Sequence, residues 1–448
     1  MRVAWPCVIV VILAVWPVCA EGATSKGSAP KLPALEAGKP LTLEDCIVIA
    51  LRQNPQITSS QQDIVGAQAG LTRARSTYYP QLSLTASEGF VSETSGSSSG
   101  GAFTFAPADT LQQLNLGLGI TLWRRGREES VAERKASLSA AEQSFVSTAQ
   151  GLTAQVARQY INVLAAQELV GVAEAGVESA QVHSEQVKAR AALGAAAEVD
   201  VFPAEDDLAR AQLDLIDARS NVRLAFALLK NTMSVRQEIA FELAPMPIPS
   251  EEAIPRLEDA TRTALGSRPE VAAGRADVAA SRYALTQAKI RRGPLVDVSG
   301  QYDQPYTDWD AHQGTWALLL GLSWPLLDGR ATESDVMSAR ASLSRTEADL
   351  KRLADQVGLD VENALVEVER NRERLGATAK SVAAAEARLS AAEGKYRQGV
   401  GILLEVIDAR TSVTTARASQ VRARHDYNAA LISLQKAMGT LRMPGIRG

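Results

Sequence analysis

The residues of this chain whose side chains could do chemistry are few, and their spacing does not bring them together. Its three histidines, His183, His312 and His425, fall on separate predicted elements and have no metal-ligand spacing. No Ser, Cys or His arrangement indicates a nucleophile with its base, and no Walker-type phosphate loop is present. The sequence therefore predicts no enzyme, no metal and no cofactor, and any energy the protein uses must come from a partner.

Charge and cysteine content exclude two further kinds of protein. The 47 Lys and Arg residues nearly balance 51 Asp and Glu residues, and no basic patch is present. This balance argues against nucleic acid as a partner. Cys7 and Cys19 lie in the apolar leader, so Cys46 is left without a partner for a disulfide or a metal cluster. We interpret Cys46 as buried apolar filler.

Residues 1–20 have the pattern of a secretory signal peptide, with an apolar core that ends at Trp16 and a small residue, Ala20, before the cut. The apolar run is too short for a comfortable uncleaved membrane anchor. A lipoprotein would be cut before Cys19, but that site prefers Leu where Trp16 stands and a small residue where Val18 stands. We therefore expect cleavage after Ala20, and lipidation of Cys19 stays open.

Two long heptad stripes organise the rest of the chain. Apolar residues seven apart, with one four-residue step, are typical of a long helix packed in a coiled coil. In the later stripe they are Val336, Leu343, Leu350, Val357, Val361, Val368, Leu375, Val382, Leu389 and Tyr396. The series recurs 205 residues earlier and fades at Ser184 and Ala191: Val131, Leu138, Phe145, Leu152, Val156, Val163, Val170 and Val177. Because the irregular step is shared, we interpret the chain as a tandem duplication, with each rod about 100 Å long.

Before each rod the apolar period changes to two, which indicates strands. Residues 81–91 and 113–124 alternate apolar with small polar side chains, as a strand with one lipid face and one water face would. Trp123, Trp316 and Trp324 lie at the strands like an interfacial aromatic belt. Four strands cannot close a barrel. Closure would therefore need several chains, and three copies would give twelve strands and twelve helical columns.

The predicted organisation is two repeats around a Pro-rich linker. In chain order we expect a signal peptide (1–20), a flexible segment (21–40), a first repeat (41–236), the linker (237–254), a second repeat (255–440) and a tail (441–448). The first repeat starts with a helix from Thr42, followed by strands at about 81–91 and 113–124 around an exposed Ser/Gly loop at Thr94–Ala102, a long helix at 128–194 and a helix at 201–235. The second also starts with a helix, followed by strands at about 295–303 and 315–325, a long helix at 330–399 and a helix at 403–439.

Several short motifs, in this order along the chain, carry a likeness to a known family: Leu43-Glu44-Asp45 with Ala50-Leu51 and Asn54-Pro55, Tyr79-Pro80-Gln81-Leu82, Ser323-Trp324-Pro325-Leu326-Leu327-Asp328-Gly329, and Tyr396-Arg397-Gln398-Gly399. With these motifs, nearly all of residues 40–440 resembles the TolC-like outer-membrane efflux and secretion channels (outer membrane factors). The resemblance implies a mainly α fold with membrane β-structure, in which a homotrimer forms a 12-stranded β-barrel continued by an α-helical barrel. It also implies a place in the outer membrane with a periplasmic extension. Export would be coupled through a periplasmic adaptor to an inner-membrane ABC, RND or MFS transporter.

The resemblance also implies a gate at the periplasmic tip. Asp200, six residues after Gly194, and Tyr396, three before Gly399, match the family's acidic and tyrosine gate positions. Gly401 stands where the family's best-studied pattern has an arginine, which implies a weaker or differently built gate. Asp200 can equally be a helix N-cap, and Tyr396 the last heptad core residue. A ring of Asp200 side chains would favour cations.

The glycines at the ends of the two rods also have both a structural and a functional interpretation. Gly194 and Gly399 suit the positive φ angles that end helices, and the resemblance places the adaptor contact around these turns, including Gly401. The main hypothesis is thus a passive export duct of a tripartite efflux or type I secretion system. The alternative is a periplasmic coiled-coil adaptor or scaffold without a channel, and an enzyme ranks third because no residues converge on a site. Neither the substrate nor the transporter class follows from the sequence.

Overall fold

The computed structural model describes residues 40–91, 94–95, 104–105, 109–194, 197–246, 254–307 and 310–444. The expected signal peptide and nearly all of the flexible segment lie outside the described residues, as does the end of the tail. The described part holds eight α-helices: α1 (Leu43–Gln53), α2 (Pro55–Ser76), α3 (Arg127–Ala192), α4 (Val201–Met233), α5 (Leu257–Ser267), α6 (Pro269–Ile290), α7 (Ala331–Arg397) and α8 (Leu403–Ala437). In that part of the chain, no helix combines the length and the apolar character needed to cross a membrane.

The first helix predicted from Thr42 is divided in two by Asn54. Thr42 closes a capping box with Asp45, because each side chain accepts a hydrogen bond from the other residue's backbone N–H. Asn54 ends α1 in extended conformation, and its Oδ1 accepts from the Gln56 amide 2.8 Å away at the start of α2. Pro55 follows at the first helical position, where its missing N–H costs nothing.

The helices form four parallel columns. α3 packs against α2 and α4 on one side and against α6 and α8 on the other, and α7 packs against α6 and α8. The shorter helices therefore stack in pairs beside the long ones, in the order α2/α4, α3, α6/α8, α7. This order leaves two open side edges, the column α2/α4 and the helix α7.

The core is densest around the four-residue step of each heptad stripe. Leu152, Val156 and Val163 are buried in the first stripe, as are Val357, Val361 and Val368 in the second. Toward their ends both stripes are only partly buried. Beside the first core, backbone hydrogen bonds join Leu41 to Glu242 and Ala244, and the hydroxyl of Tyr160 lies 2.5 Å from the Ala244 carbonyl oxygen. The first part of the predicted linker is therefore packed into the fold.

The strands are β1 (Gln81–Val91), β2 (Thr94–Ser95), β3 (Thr104–Phe105), β4 (Asp109–Arg124), β5 (Leu295–Thr307), β6 (Asp310–Ala311) and β7 (Thr315–Ser323). β1, β4, β5 and β7 form an antiparallel sheet in that order, and β6 extends the β7 side of β5. The pairing of β4 with β5 joins the two repeats, and β1 and β7 are the free edges.

The strand register separates the sheet into two faces. The polar face carries Gln81, Ser83, Thr85, Gln113, Asn115, Thr121, Asp297, Ser299, Gln301 and Asp303. The apolar face carries Leu82, Leu84, Leu116, Leu118, Ile120, Val296, Val298, Trp316, Leu318, Leu320 and Leu322. Large apolar side chains such as Leu318 and Leu320 are exposed, so this face has no cover within the chain.

Some element ends differ from the expected ones. β4 begins at Asp109 rather than 113, β5 extends to Thr307 rather than 303, and β7 ends at Ser323, since the prolyl nitrogen of Pro325 cannot donate to a ladder. The expected loop at Thr94–Ala102 begins instead with β2, which pairs with β3. The rest of that loop lies outside the described residues.

Candidate functional site

Both long helices end in glycine turns that meet at the end of the molecule opposite the sheet. Gly194 has φ +70° and Gly399 has φ +75°, a region in which a side chain would be strained. Between the turns lies one apolar cluster, the tip cluster, to which all four neighbouring helices contribute: Val187 of α3, Ala204 of α4, Tyr396 of α7 and Leu403 of α8. The tip cluster is where the two repeats touch at this end.

Two polar side chains of α3 contact Tyr396, which also packs against Val406 and Ala409 of α8. The Arg190 guanidinium carbon lies 5.1 Å from the Tyr396 ring centroid, within cation–π range. Arg190 also donates a long hydrogen bond, 3.5 Å, from Nη1 to the backbone oxygen of Tyr396. His183 stands edge-on to the same ring, with 6.0 Å between ring centroids.

A largely but not fully buried arginine lies behind this contact. Arg410 of α8 donates from Nη1 to the Ser179 carbonyl oxygen of α3 at 2.5 Å, and its Nη2 lies 3.7 Å from the Glu393 carboxylate. Burial lowers the pKa of Arg410. Burial and the nearby Arg410 charge lower the pKa of His183 to about 4, so His183 is neutral near pH 7.

The turns around the tip cluster expose apolar side chains. All are highly exposed and lie on the last turns of the helices or between them: Leu193, Val199, Phe202, Val400, Ile402 and Leu404. Exposed apolar groups gathered in one place mark interaction sites.

At the other end, the polar face of the sheet presents an anchored carboxylate. Asp303 Oδ1 accepts from the Asn115 side chain and, at 3.4 Å, from Gln113 Nε2; Oδ2 accepts from Gln301 Nε2 at 2.8 Å. Asp297 lies on the same face. Among the described strand residues the single basic one is Arg124, at the helical end of β4.

The three belt tryptophans lie at two levels of the sheet. Trp316, 79% exposed, stands near the start of β7, opposite Tyr302. Trp123 and Trp324 are exposed at the helical end, where β4 and β7 finish. Eight residues separate Trp316 from Trp324, which is about 26 Å of extended chain. At the strand tilt of about 40° in outer-membrane barrels this corresponds to a height of about 20 Å, comparable to their apolar band of about 25 Å.

Comparison with known proteins decides what this architecture belongs to. The family described as "Outer membrane efflux protein" matches residues 46–233 and 260–440. The chain belongs to this family. It is 26% identical over 413 residues to Protein CyaE of Bordetella pertussis, covering 91% of this chain and 86% of that protein. It is 24% identical to outer membrane protein TolC of Vibrio cholerae, with coverage of 88% and 89%. The solved CmeC outer membrane channel of Campylobacter jejuni has the same fold, with a TM-score of 0.76 at 18% identity and coverage of 89% and 85%.

The protein is therefore an outer-membrane channel of tripartite efflux or secretion systems. Channels of the family are homotrimers that work with periplasmic adaptors and inner-membrane transporters. The fold matches the expected class: long paired helices with a separate β-domain. The alternative of an adaptor without a channel was wrong.

The structure does not link the two predicted gate residues directly. Asp200 ends a short 3-10 turn before α4 and makes no side-chain capping bond there. Within the described part of the chain, no hydrogen bond joins Asp200 to Tyr396, whose cationic partner is Arg190. Gly401 packs so closely that an added Cβ would lie 2.9 Å from Lys395 Cβ. A side chain therefore does not fit at the family's arginine position without movement.

Sequence reasoning missed Arg190, His183 and Arg410 as parts of the tip. The signal available was weak: the first stripe loses its apolar residues at Ser184 and Ala191, next to His183 and Arg190. Such a break indicates that polar groups replace apolar packing, but it does not name their partners. The described residues contain no group of three or more His, Cys, Asp or Glu that could hold a metal ion.

Proposed function

We propose that this chain is a passive export duct made by three copies, whose passage narrows at the tip cluster. The observation that carries the proposal is the match between its open edges. β1 and the α2/α4 column lie along one side of the chain, and β7 and α7 along the other. Neighbouring copies can thus pair β1 with β7 and α2/α4 with α7, which closes a twelve-stranded barrel above twelve helical columns.

The two faces of the sheet support an assignment of which side of the closed barrel meets lipid and which side meets water. An exposed apolar face of leucines, with tryptophans about 26 Å apart, suits contact with lipid. The polar face then lines the lumen, where Asp303 and its amide partners meet water. Trp123, Trp316 and Trp324 would form the aromatic belt at the two membrane interfaces.

The tip is proposed as the gate and the adaptor contact. Tyr396 is the α7 residue that ties the second repeat to α3, and Asp200 immediately precedes the first residue of α4. The exposed apolar side chains around Gly194, Gly399 and Gly401 suit docking of an adaptor's helical tips.

Single-channel recording from the purified trimer in planar bilayers tests the duct and its gate. Tyr396→Ala removes the α7 contribution to the tip cluster and is expected to raise conductance several-fold. Tyr283→Ala, an equal truncation on an exposed position of α6 far from the tip, is the matched control and should leave conductance unchanged. Equal conductance for Tyr396→Ala and the unaltered channel would show that the tip cluster does not restrict passage.

A further inference from the structure

We infer that Arg190 is the residue that holds the gate closed, acting on the ring face and backbone oxygen of Tyr396 rather than on its hydroxyl. This inference rests on the proposed gating role of the tip cluster and adds its holding residue. Arg190 lies in the last turn of α3, and Tyr396 in the last turn of α7. The contact therefore joins the ends of the two repeats.

Arg190 meets two electron-rich groups of the same residue. Its guanidinium faces the Tyr396 ring at 5.1 Å from the centroid, and its Nη1 donates to the Tyr396 carbonyl oxygen at 3.5 Å. That oxygen is one of the last carbonyls of α7; it accepts a hydrogen bond from the Gly399 amide at 3.1 Å and lies at the negative end of the helix dipole. A cation is favoured at both groups, so one side chain fixes ring and helix end together.

The hydroxyl of Tyr396 has no comparable contact. It forms no hydrogen bond with any residue in the described ranges, whereas the ring packs in the tip cluster and stands edge-on to His183. A gate built on a hydroxyl-to-carboxylate bond with Asp200 would need that bond. The ring and the backbone thus carry the closure of this chain.

The close packing at Gly401 agrees with a role for Arg190. The turn after α7 folds back so that the amides of Val400 and Gly401 both bond to the Lys395 carbonyl oxygen, at 3.1 and 3.2 Å. Because no side chain fits at residue 401 without movement, residue 401 cannot supply a cation for this closure in the turn as it stands. Arg190 supplies it from the opposite repeat.

The other charged contact near the end of α3 differs in kind. Lys188, two residues before Arg190, pairs with Glu205 of α4 at 2.7 Å. That ion pair stays inside the first repeat and joins no element of the second. It gives a control of equal charge on the same helix.

Planar-bilayer conductance of five purified trimers tests the inference: the unaltered channel, Arg190→Ala, Lys188→Ala, Tyr396→Phe and Tyr396→Ala. Arg190→Ala should raise conductance several-fold, as Tyr396→Ala does, while Lys188→Ala and Tyr396→Phe stay at the unaltered level. Thermal unfolding and mass of each trimer, measured in parallel, should be unchanged for Arg190→Ala, which separates gating from stability.

Three results would each contradict a different part of the proposal. Opening by Tyr396→Phe would show that the hydroxyl holds the gate. Opening by Tyr396→Ala but not by Arg190→Ala would leave the gate in place and remove Arg190 from it. No opening by either alanine variant would contradict the proposed gate itself. If Arg190→Ala fails to assemble, Tyr396→Phe, which keeps the ring and the carbonyl, still decides between ring and hydroxyl.

Discussion

Asp303 of β5 accepts a hydrogen bond from the side chain of Asn115 on β4, across the strand pair that joins the two repeats. Gln113 and Gln301 donate to the same carboxylate. Asp303 is thus fixed on the polar face, with Asp297 nearer the helical end. If the polar face lines the lumen, as proposed above, these acids of three copies give the barrel lumen a negative potential.

We predict that Asp303→Asn lowers the cation-to-anion permeability ratio of the channel. Charge-lined clefts carry potentials of several kT, so loss of one charge per copy should change the ratio by about twofold or more. The measurement is the reversal potential of the reconstituted trimer in a salt gradient. Glu88→Gln, on β1 and hydrogen-bonded to Gln112, removes an equal charge from the other face. An unchanged reversal potential for Asp303→Asn would show that Asp303 does not determine the ion selectivity of the channel.

Neighbouring residues of β7 test which face meets lipid. Leu320 lies on the apolar face, midway between Trp316 and Trp324, whereas Leu319 lies on the polar face, and both are exposed within the chain. Leu320→Arg should block assembly in the outer membrane, because arginine facing lipid at mid-depth costs about 2–4 kcal/mol. Leu319→Arg should assemble normally. Fractionation of outer membranes followed by gel analysis of the trimer gives the answer, and equal assembly of both variants would contradict the assignment of faces.

Arg268 is predicted to stabilise the second repeat. Its side chain is 11% exposed, and it donates to the Ala437 carbonyl oxygen at 2.7 Å and to Asp360 at 2.9 Å. Arg268→Ala should lower the free energy of unfolding by about 1–3 kcal/mol, since the Ala437 carbonyl oxygen loses its side-chain donor and Asp360 keeps only its hydrogen bond from Gln356. Denaturant unfolding in detergent measures the loss.

Arg262 gives the matched control for that loss. It pairs with Asp259 three residues earlier, but its side chain is 77% exposed. Arg262→Ala should change the free energy of unfolding by no more than about 0.5 kcal/mol, as surface substitutions do. Equal losses for the two arginines would show that burial does not set the strength of the Arg268 contact.

His183 predicts a dependence of tip stability on pH. Its pKa is lowered to about 4 by burial and by Arg410, so between pH about 6.5 and about 4 the unfolded chain binds a proton that the folded chain does not. Stability therefore falls as the pH falls through this window. Tyr396 of α7 and Arg410 of α8 face the ring, while Asp207 and Glu393 face Arg410.

His183→Gln keeps a polar side chain without the titration. Its thermal midpoint should vary less between these pH values than that of the unaltered trimer. His312→Gln, in the segment between β6 and β7 far from the tip, is the control and should behave like the unaltered trimer. If His183→Gln shows the full pH dependence, other groups cause it.

Cys46 is predicted to be unreactive in the folded protein. Burial, helped by the charge of Asp45, raises the pKa of its thiol to about 12, and only the thiolate is nucleophilic. Iodoacetamide at about pH 8, near the pKa of an exposed thiol, should label the mature chain only after denaturation. Mass spectrometry counts the labels. One label after denaturation agrees with cleavage after Ala20, whereas labelling of Cys46 in the native trimer would contradict its burial.

The elements that sequence predicted well are those with long periodic patterns. The long helices α3 and α7 end within two residues of the expected positions, where Gly194 and Gly399 follow. The features that the sequence did not predict depend on contacts between segments that are far apart in the chain. Residues of the linker such as Phe241 and Leu243 pack against the first repeat, which the prolines alone did not indicate. Arg190 meets Tyr396 only because the two repeats fold side by side, and no local spacing records that contact.

The central claim is that three chains share one channel, and the most direct test is the mass of the mature protein extracted from the outer membrane in mild detergent. Light scattering should give three times the mass of the mature chain. The open edges at β1 and β7 require such partners. A monomer released by salt or osmotic shock would contradict the shared barrel.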